Sequence, residues 1–392
     1  MGRFLALLGG AALLVSAPPL FFSASSLQPV PFQLIDNRIF VEVRVNGEGP
    51  FHFILDTGAG TSVGLDVADK LKLPHEETIE ESGVGVATVR GFSSHIQSLS
   101  IGPATLENLA VEVLPFSDSS AVFGKAPLDG IIGAPIFEKY VVVHDYAART
   151  LRFVVPGEFK YEGLGTILPF ERIGYVPLVA GKVDGIPTKF GIDTGARSAL
   201  LLYGPFVAAR GLRDKYKPQF SGITGWGIGG PVRSDIVRIG NISVGPFSFD
   251  KVVARFSLNR SGATTDTSKA GLIGPDILKQ FTVICDYSRH RLILEKNSDF
   301  GAHDTFDKAG AWLIQASHAF EVLDVIGGGP AEKAGLKVGD KILAIGDTSV
   351  DALLLPEVRD YWKYAPSGTK IRLQVQSGPA VTNVVLVLRE MV

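Results

Sequence analysis

Phe53-Ile54-Leu55-Asp56-Thr57-Gly58-Ala59 is an apolar run that breaks on a polar triplet, and it returns as Phe190-Gly191-Ile192-Asp193-Thr194-Gly195-Ala196. Self-similarity at this scale decides a fold before any element is assigned. Working outward, Asn46-Gly47 stands ahead of the first copy and Asp184-Gly185 ahead of the second, both of them hairpin-turn dipeptides. Beyond the copies, Asp129-Gly130-Ile131-Ile132-Gly133 matches Ala270-Gly271-Leu272-Ile273-Gly274. Next, Val143-His144-Asp145-Tyr146 matches Ile284-Cys285-Asp286-Tyr287. Four landmarks in one order, at nearly constant spacing, mean two copies of one lobe. Between them the text is short, alternating and β-branched, as in Ile39 to Val45, with Gly and Pro punctuation. Brief helices are expected at Val67 to Leu71 and Pro205 to Arg210.

An Asp-Thr-Gly triplet arises by chance at roughly one position in 5,000, so a single copy carries little and two in register carry much. Each copy places its aspartate at the end of an apolar strand, on a turn whose glycine permits close backbone approach. Two lobes related by a pseudo-twofold axis would bring Asp56 and Asp193 together. Carboxyls a few Å apart do not both ionise, so they share one proton and titrate as a pair. The ionised member can then deprotonate a water while the protonated member polarises a carbonyl. This chemistry requires no metal, cofactor or acyl-enzyme.

The doubled Asp-Thr-Gly with its later apolar-apolar-Gly resembles the aspartic proteases of the pepsin and retropepsin fold, in a bacterial form with both lobes on one chain. The resemblance spans residues 30 to 297. It implies a mainly β, bilobal double barrel with catalytic Asp56 and Asp193, and with Thr57 and Thr194 hydrogen-bonded across the axis. Gly58 and Gly195 would support the active-site loops. The stretches Ile131-Ile132-Gly133 and Leu272-Ile273-Gly274 would pack beneath them. Gly83, Val84 and Gly85 in one lobe, and Trp226 and Gly227 in the other, fall where the family carries its flaps. Arg197 follows the second motif where the family has a small polar or acidic residue. It would either pair with an acid or point at the dyad and lower its pKa values.

Composition changes after Lys296, and Gly329-Pro330-Ala331-Glu332-Lys333-Ala334-Gly335-Leu336-Lys337-Val338-Gly339-Asp340 resembles PDZ domains. That family binds extended peptides by strand addition. Ala311, Trp312, Leu313 and Ile314 are the candidate groove strand, the segment from Gly310 to Leu313 the candidate carboxylate-capturing loop, and a helix near Leu353 to Tyr361 the opposite wall. The expected organisation is a signal peptide over residues 1–25, lobes over 30–155 and 165–297, and a small α+β PDZ-like domain over 304–392.

The 392 residues allow two or three cores, and 46% hydrophobic with 20% charged residues describes a folded chain. A net charge of -2 without a basic block gives no footprint for nucleic acid or an anionic membrane. Arg3 followed by the apolar run from Phe4 to Ala17 reads as a signal peptide, with an uncleaved anchor as the alternative. Either reading exports the body, to the periplasm or beyond. Cys285 is the one cysteine, so no internal disulfide forms and a buried inert thiol is expected. His52, His95 and His144 lack metal-ligand spacing. Ser62 and Ser198 lack a nucleophile-elbow motif. Asp145 and Asp286, each ahead of Tyr and a basic turn, are assigned to structure.

These readings converge on an aspartic endopeptidase acting on protein or peptide substrates, with a PDZ-like domain that recognises C-terminal peptides or regulates the cleft. A catalytically silent envelope adaptor that holds polypeptides in the same cleft is the alternative.

Overall fold

The computed structural model describes residues 28–116 and 121–392; the signal-peptide reading of residues 1–25 concerns residues outside them. None of the described helices is long and apolar enough to cross a membrane.

The chain is mainly β. In the first lobe, Arg38–Val45 alternates from Val41 onward, with Val41, Val43 and Val45 buried and Glu42 and Arg44 exposed. A half-buried antiparallel strand demands this pattern. It pairs with Glu48–Leu55 through a tight turn at Asn46-Gly47, both at positive φ (53° and 81°). The second lobe repeats the device between Val176–Val183 and Ile186–Ile192, with Asp184 and Gly185 at 48° and 82°.

In each lobe the strand leading to the aspartate pairs in parallel with the apolar-apolar-Gly stretch. Phe53, Ile54 and Leu55 lie against Gly130, Ile131 and Ile132; Phe190, Gly191 and Ile192 lie against Gly271, Leu272 and Ile273. The aspartate amides close the arrangement, Asp56 N–H donating to Ile132 O at 2.9 Å and Asp193 N–H to Ile273 O at 3.0 Å.

Six antiparallel strands form a shared base, in the order Val30–Pro31, Thr150–Val154, Val141–Asp145, Phe281–Asp286, Arg291–Lys296 and Thr166–Ile173. The lobes meet where Val142 faces Cys285 and His144 faces Val283, a register that maps onto itself when the copies are exchanged. Asp145 caps its turn through Ala148 N–H, and Asp286 is held by Ser288, Arg289 and Arg291. Cys285 is fully buried.

The C-terminal domain has a sheet of Ala311–Ala316, Ala319–Val325, Lys341–Ile345, Lys370–Ser377 and Ala380–Val387, covered by the helix Leu355–Tyr364. Leu313, Phe320, Val322, Ile342, Leu355 and Trp362 fill its own core. This domain also packs against the lobes. Trp312 meets Val122 and Ile223, and Ile326 meets Ile236, Val253 and Phe306. Asp324 accepts from Ile223 N–H at 2.7 Å and pairs with Arg233 at 3.0 Å, while buried Lys363 pairs with buried Asp276 at 2.7 Å.

Candidate active site

The two Asp-Thr-Gly turns face one another at the centre of the molecule. Thr57 Oγ1 donates to Ile192 O at 2.7 Å and accepts from Thr194 N–H at 3.1 Å. Thr194 Oγ1 donates to Leu55 O at 2.9 Å and accepts from Thr57 N–H at 3.1 Å. Both threonines are fully buried, so each hydroxyl and each amide depends on its opposite. Thr57→Val or Thr194→Val leaves a buried N–H without an acceptor and is expected to cost about 1–3 kcal/mol in denaturant unfolding. The double variant should lose less than the two single losses added, because one network is broken twice.

This lattice sets each carboxyl against the glycine of the opposite turn, so that the two form one coupled pair. Asp56 accepts from Gly58 N–H at 2.6 Å. Asp193 Oδ1 is buried without a hydrogen-bond partner among the described residues. Burial raises both pKa values. At Asp56 the amide donors, the Asp193 carboxyl and the Arg38 guanidinium oppose the rise. At Asp193 the charge of Asp56 adds to it and drives the value well above the ordinary carboxylate range. The two carboxyls therefore hold one proton between them and titrate as a pair. A side chain at Gly195 would collide with Asp56 Oδ2, so the close approach requires glycine.

A cavity of about 350 Å³ opens over the dyad. Its first-lobe wall is Ile54, Phe116, Phe123, Leu128 and Ile131, and its second-lobe wall Val176, Leu201, Tyr203, Val232 and Leu272. Glu81 and Glu112 stand on its flank, and burial beside Glu81 pushes the Glu112 carboxyl up to about 7.

The predicted flap residues form the roof. Gly83, Val84 and Gly85 lie in the turn between Thr78–Ser82 and Thr88–Ile101, and Trp226 and Gly227 end the strand Phe220–Gly227. Their tips are joined by backbone, with Gly85 N–H donating to Ile228 O and Ala87 N–H to Gly229 O, each at 3.0 Å. Asn259 Nδ2 adds a bond to Val84 O at 3.1 Å.

Residues 41–136 and 179–277 match the family model described as aspartyl protease, and residues 321–377 match a PDZ domain model. The two lobes belong to the aspartyl protease family. Among solved structures, the crystal structure of aspartic proteinase from Irpex lacteus aligns with 14% identity and a TM-score of 0.46, covering 71% of this chain and 99% of that one. The comparison with curated proteins gives no match.

Outside the aspartyl protease lobes, the PDZ domain departs from the expectation for its groove. Ala311, Trp312, Leu313 and Ile314 do form an edge strand opposite a helix, but the segment from Gly310 to Leu313 is not an open capturing loop. The preceding turn is Asp307 to Gly310, and its amides are taken: Asp307 Oδ1 accepts from Ala309 N–H at 2.9 Å and Gly310 N–H at 2.8 Å. The groove faces the first lobe. Arg359 crosses it, donating to Leu313 O and, at 2.6 Å, to Val122 O. Lys125 bonds to Asp351 O on the far side. Two guanidiniums stand over the Trp312 ring, Arg197 at 5.2 Å and Arg359 at 4.9 Å from its centre.

Arg197 takes the first of its two fates, pairing with Asp36 at 2.6 Å. The guanidinium that acts on the dyad is Arg38, which sequence reading did not single out. Asp36, Arg38 and Arg359 were equally silent as single residues. The available signal was Asp36-Asn37 between Leu34-Ile35 and Arg38-Ile39-Phe40, a turn-favouring dipeptide upstream of Asn46-Gly47.

Proposed function

We propose that the protein is an aspartic endopeptidase in which Asp56 is the general base and Asp193 the general acid. One observation carries the reading: two buried carboxyls, coupled and both raised in pKa, lie together beneath a roofed, apolar cavity. A substrate water between them gives a proton to Asp56 as its oxygen attacks the scissile carbonyl. Asp193 gives its proton to the carbonyl oxygen, which yields a neutral tetrahedral diol. Collapse of the diol breaks the C–N bond, and the proton held by Asp56 passes to the leaving nitrogen. Asp193 recovers its proton from the collapsing hydroxyl.

The two apolar walls suit extended peptides with large apolar side chains on either side of the scissile bond. The Phe4 to Ala17 run supports an exported setting.

The test is digestion of a peptide library and a denatured protein from pH 3 to pH 8, with cleavage sites mapped by mass spectrometry. The dyad works with one proton, so the rate should rise as the pair loses its first proton and fall as it loses the second. Both pKa values are raised, so the rising limb is expected above the ordinary Asp value of 3.8. Binding of a statine-type transition-state analogue without cleavage of any substrate would move the assignment to a peptide-holding protein.

A further inference from the structure

Asp36 and Asn37 form the two-residue turn between Gln33–Ile35 and Arg38–Val45, and both sit at positive φ, 47° and 70°. Non-glycine residues hold that conformation when the surroundings fix them in it. Here the surroundings are the second lobe and the PDZ domain. Asn37 Nδ2 donates to Arg197 O at 3.0 Å and to Asp276 Oδ1 at 2.9 Å. Asp36, 1% exposed, receives Arg38 at 2.7 Å and Arg197 at 2.6 Å, with Arg359 of the PDZ domain at 3.9 Å.

Arg38 then spends the rest of its fork on the active site. Its Nε donates to Gly195 O at 2.8 Å and its Nη2 to Trp226 O at 3.3 Å, with the guanidinium 5.2 Å from the Phe123 ring centre. The Gly195 carbonyl belongs to the Asp193-Thr194-Gly195 turn and shares one planar peptide with the Ala196 N–H. Holding one end of a trans peptide plane fixes where the other end points. One side chain therefore holds the turn that carries Asp193 and also tethers the second flap. Beside the first catalytic loop, the Tyr175 ring lies against Gly60.

We propose that Arg38 is a positioning residue for the dyad, holding the Gly195–Ala196 peptide of the turn that carries Asp193 and fixing the flap at Trp226, with Asp36 as the anchor that makes the PDZ domain part of the same construction. The proposal rests on the endopeptidase reading. The dyad is faced by Arg38 and by the phenols of Tyr146, Tyr203 and Tyr287. Arg38 is faced by Asp36, Arg197, Arg359 and Asp193. Glu81, Glu112, Lys269 and Arg255 line the cavity beyond them.

The experiment compares the full chain with Arg38→Met and Arg38→Lys by kcat, KM, pH profile, thermal unfolding and ¹³C-carboxyl NMR of aspartate. Arg38→Met is expected to lower kcat about tenfold or more. Both limbs of the profile should move to higher pH, because removing a cation favours the protonated carboxyl. Arg38→Lys keeps the charge and loses the fork, so its limbs should stay nearer the parent's while kcat still falls at least about threefold. A folded Met variant with unchanged kcat and unchanged limbs overturns the proposal, and lowered thermal stability alone reduces Arg38 to a structural role. If Arg38→Met does not fold, an unchanged kcat in Arg38→Lys overturns it equally. If the parent cleaves nothing, the endopeptidase reading fails separately. The NMR titration then decides, since a dyad that titrates alike in parent and variant sinks the role of Arg38.

Discussion

Asp193→Asn is expected to lower kcat/KM by at least about 10³-fold, since an amide supplies no proton to the substrate carbonyl. Asp56→Asn should do the same by removing the base. The double variant should be no worse than either single one, because the carboxyls act as a unit. Stability should move the other way. A carboxyl whose folded pKa is raised binds its proton more tightly folded than unfolded. Its contribution to folding is full below the unfolded value and disappears as pH rises through the folded one. Both dyad members are raised, and Asp193 more strongly, so at neutral pH the native pair is a liability. Asp193→Asn should raise Tm at pH 7 by about 2 °C or more and change it little at pH 3. Scanning calorimetry at the two pH values, beside a peptide cleavage assay, reads both effects. Full activity in either single variant would remove the proposed mechanism.

Deleting residues 303–392 is expected to cripple the catalytic lobes, not to free them from a tethered receptor. Trp312 and Ile326 leave Val122, Ile223, Ile236 and Val253 uncovered. Asp36 loses Arg359, and Asp276 loses Lys363 while keeping Lys279 at 2.8 Å. Removing one partner of a buried pair costs about 3–5 kcal/mol. The truncated chain should therefore unfold at least about 10 °C lower and cleave at least about tenfold more slowly. Lys363→Met isolates the ionic part. The Asp276 pKa is lowered, by Lys363 and Lys279 against the opposing effect of burial. Its stabilisation is thus complete above the unfolded value and lost as pH falls through the folded one, so the penalty of Lys363→Met should shrink in strong acid. A truncated protein that keeps its Tm and its rate would show that the PDZ domain is a detachable module.

The repeat was legible because its landmarks are local. Asp-Thr-Gly, apolar-apolar-Gly and the turn dipeptides each state their backbone requirement within a few residues, and the order of landmarks supplied the topology. The Thr57 and Thr194 lattice followed from the resemblance that those landmarks carry. The flap residues were legible as glycine-rich turns, whereas their backbone junction was not, since Gly85 and Ile228 are neighbours only once both lobes fold. Arg38 and Arg359 were invisible for a related reason. A lone arginine in a strand or helix reads as a solvated surface charge, and only the assembly of three bodies around Asp36 buries it. The turn that precedes the PDZ edge strand was not legible, because the chain position of Asp307 says nothing of the two amides it reaches.

The junction of Gly85 and Ala87 with Ile228 and Gly229 closes the roof into a ring of covalent chain and hydrogen bonds around the dyad. A ring admits a thread more readily than a loop anchored at both ends. A free terminus or a locally unravelled stretch can be drawn beneath the joined tips, whereas a segment fixed on a folded surface must wait for both bonds to part. On the proposed endopeptidase activity, such a ring would select by the slackness of a substrate before any side chain is read, and intact folded neighbours would pass untouched.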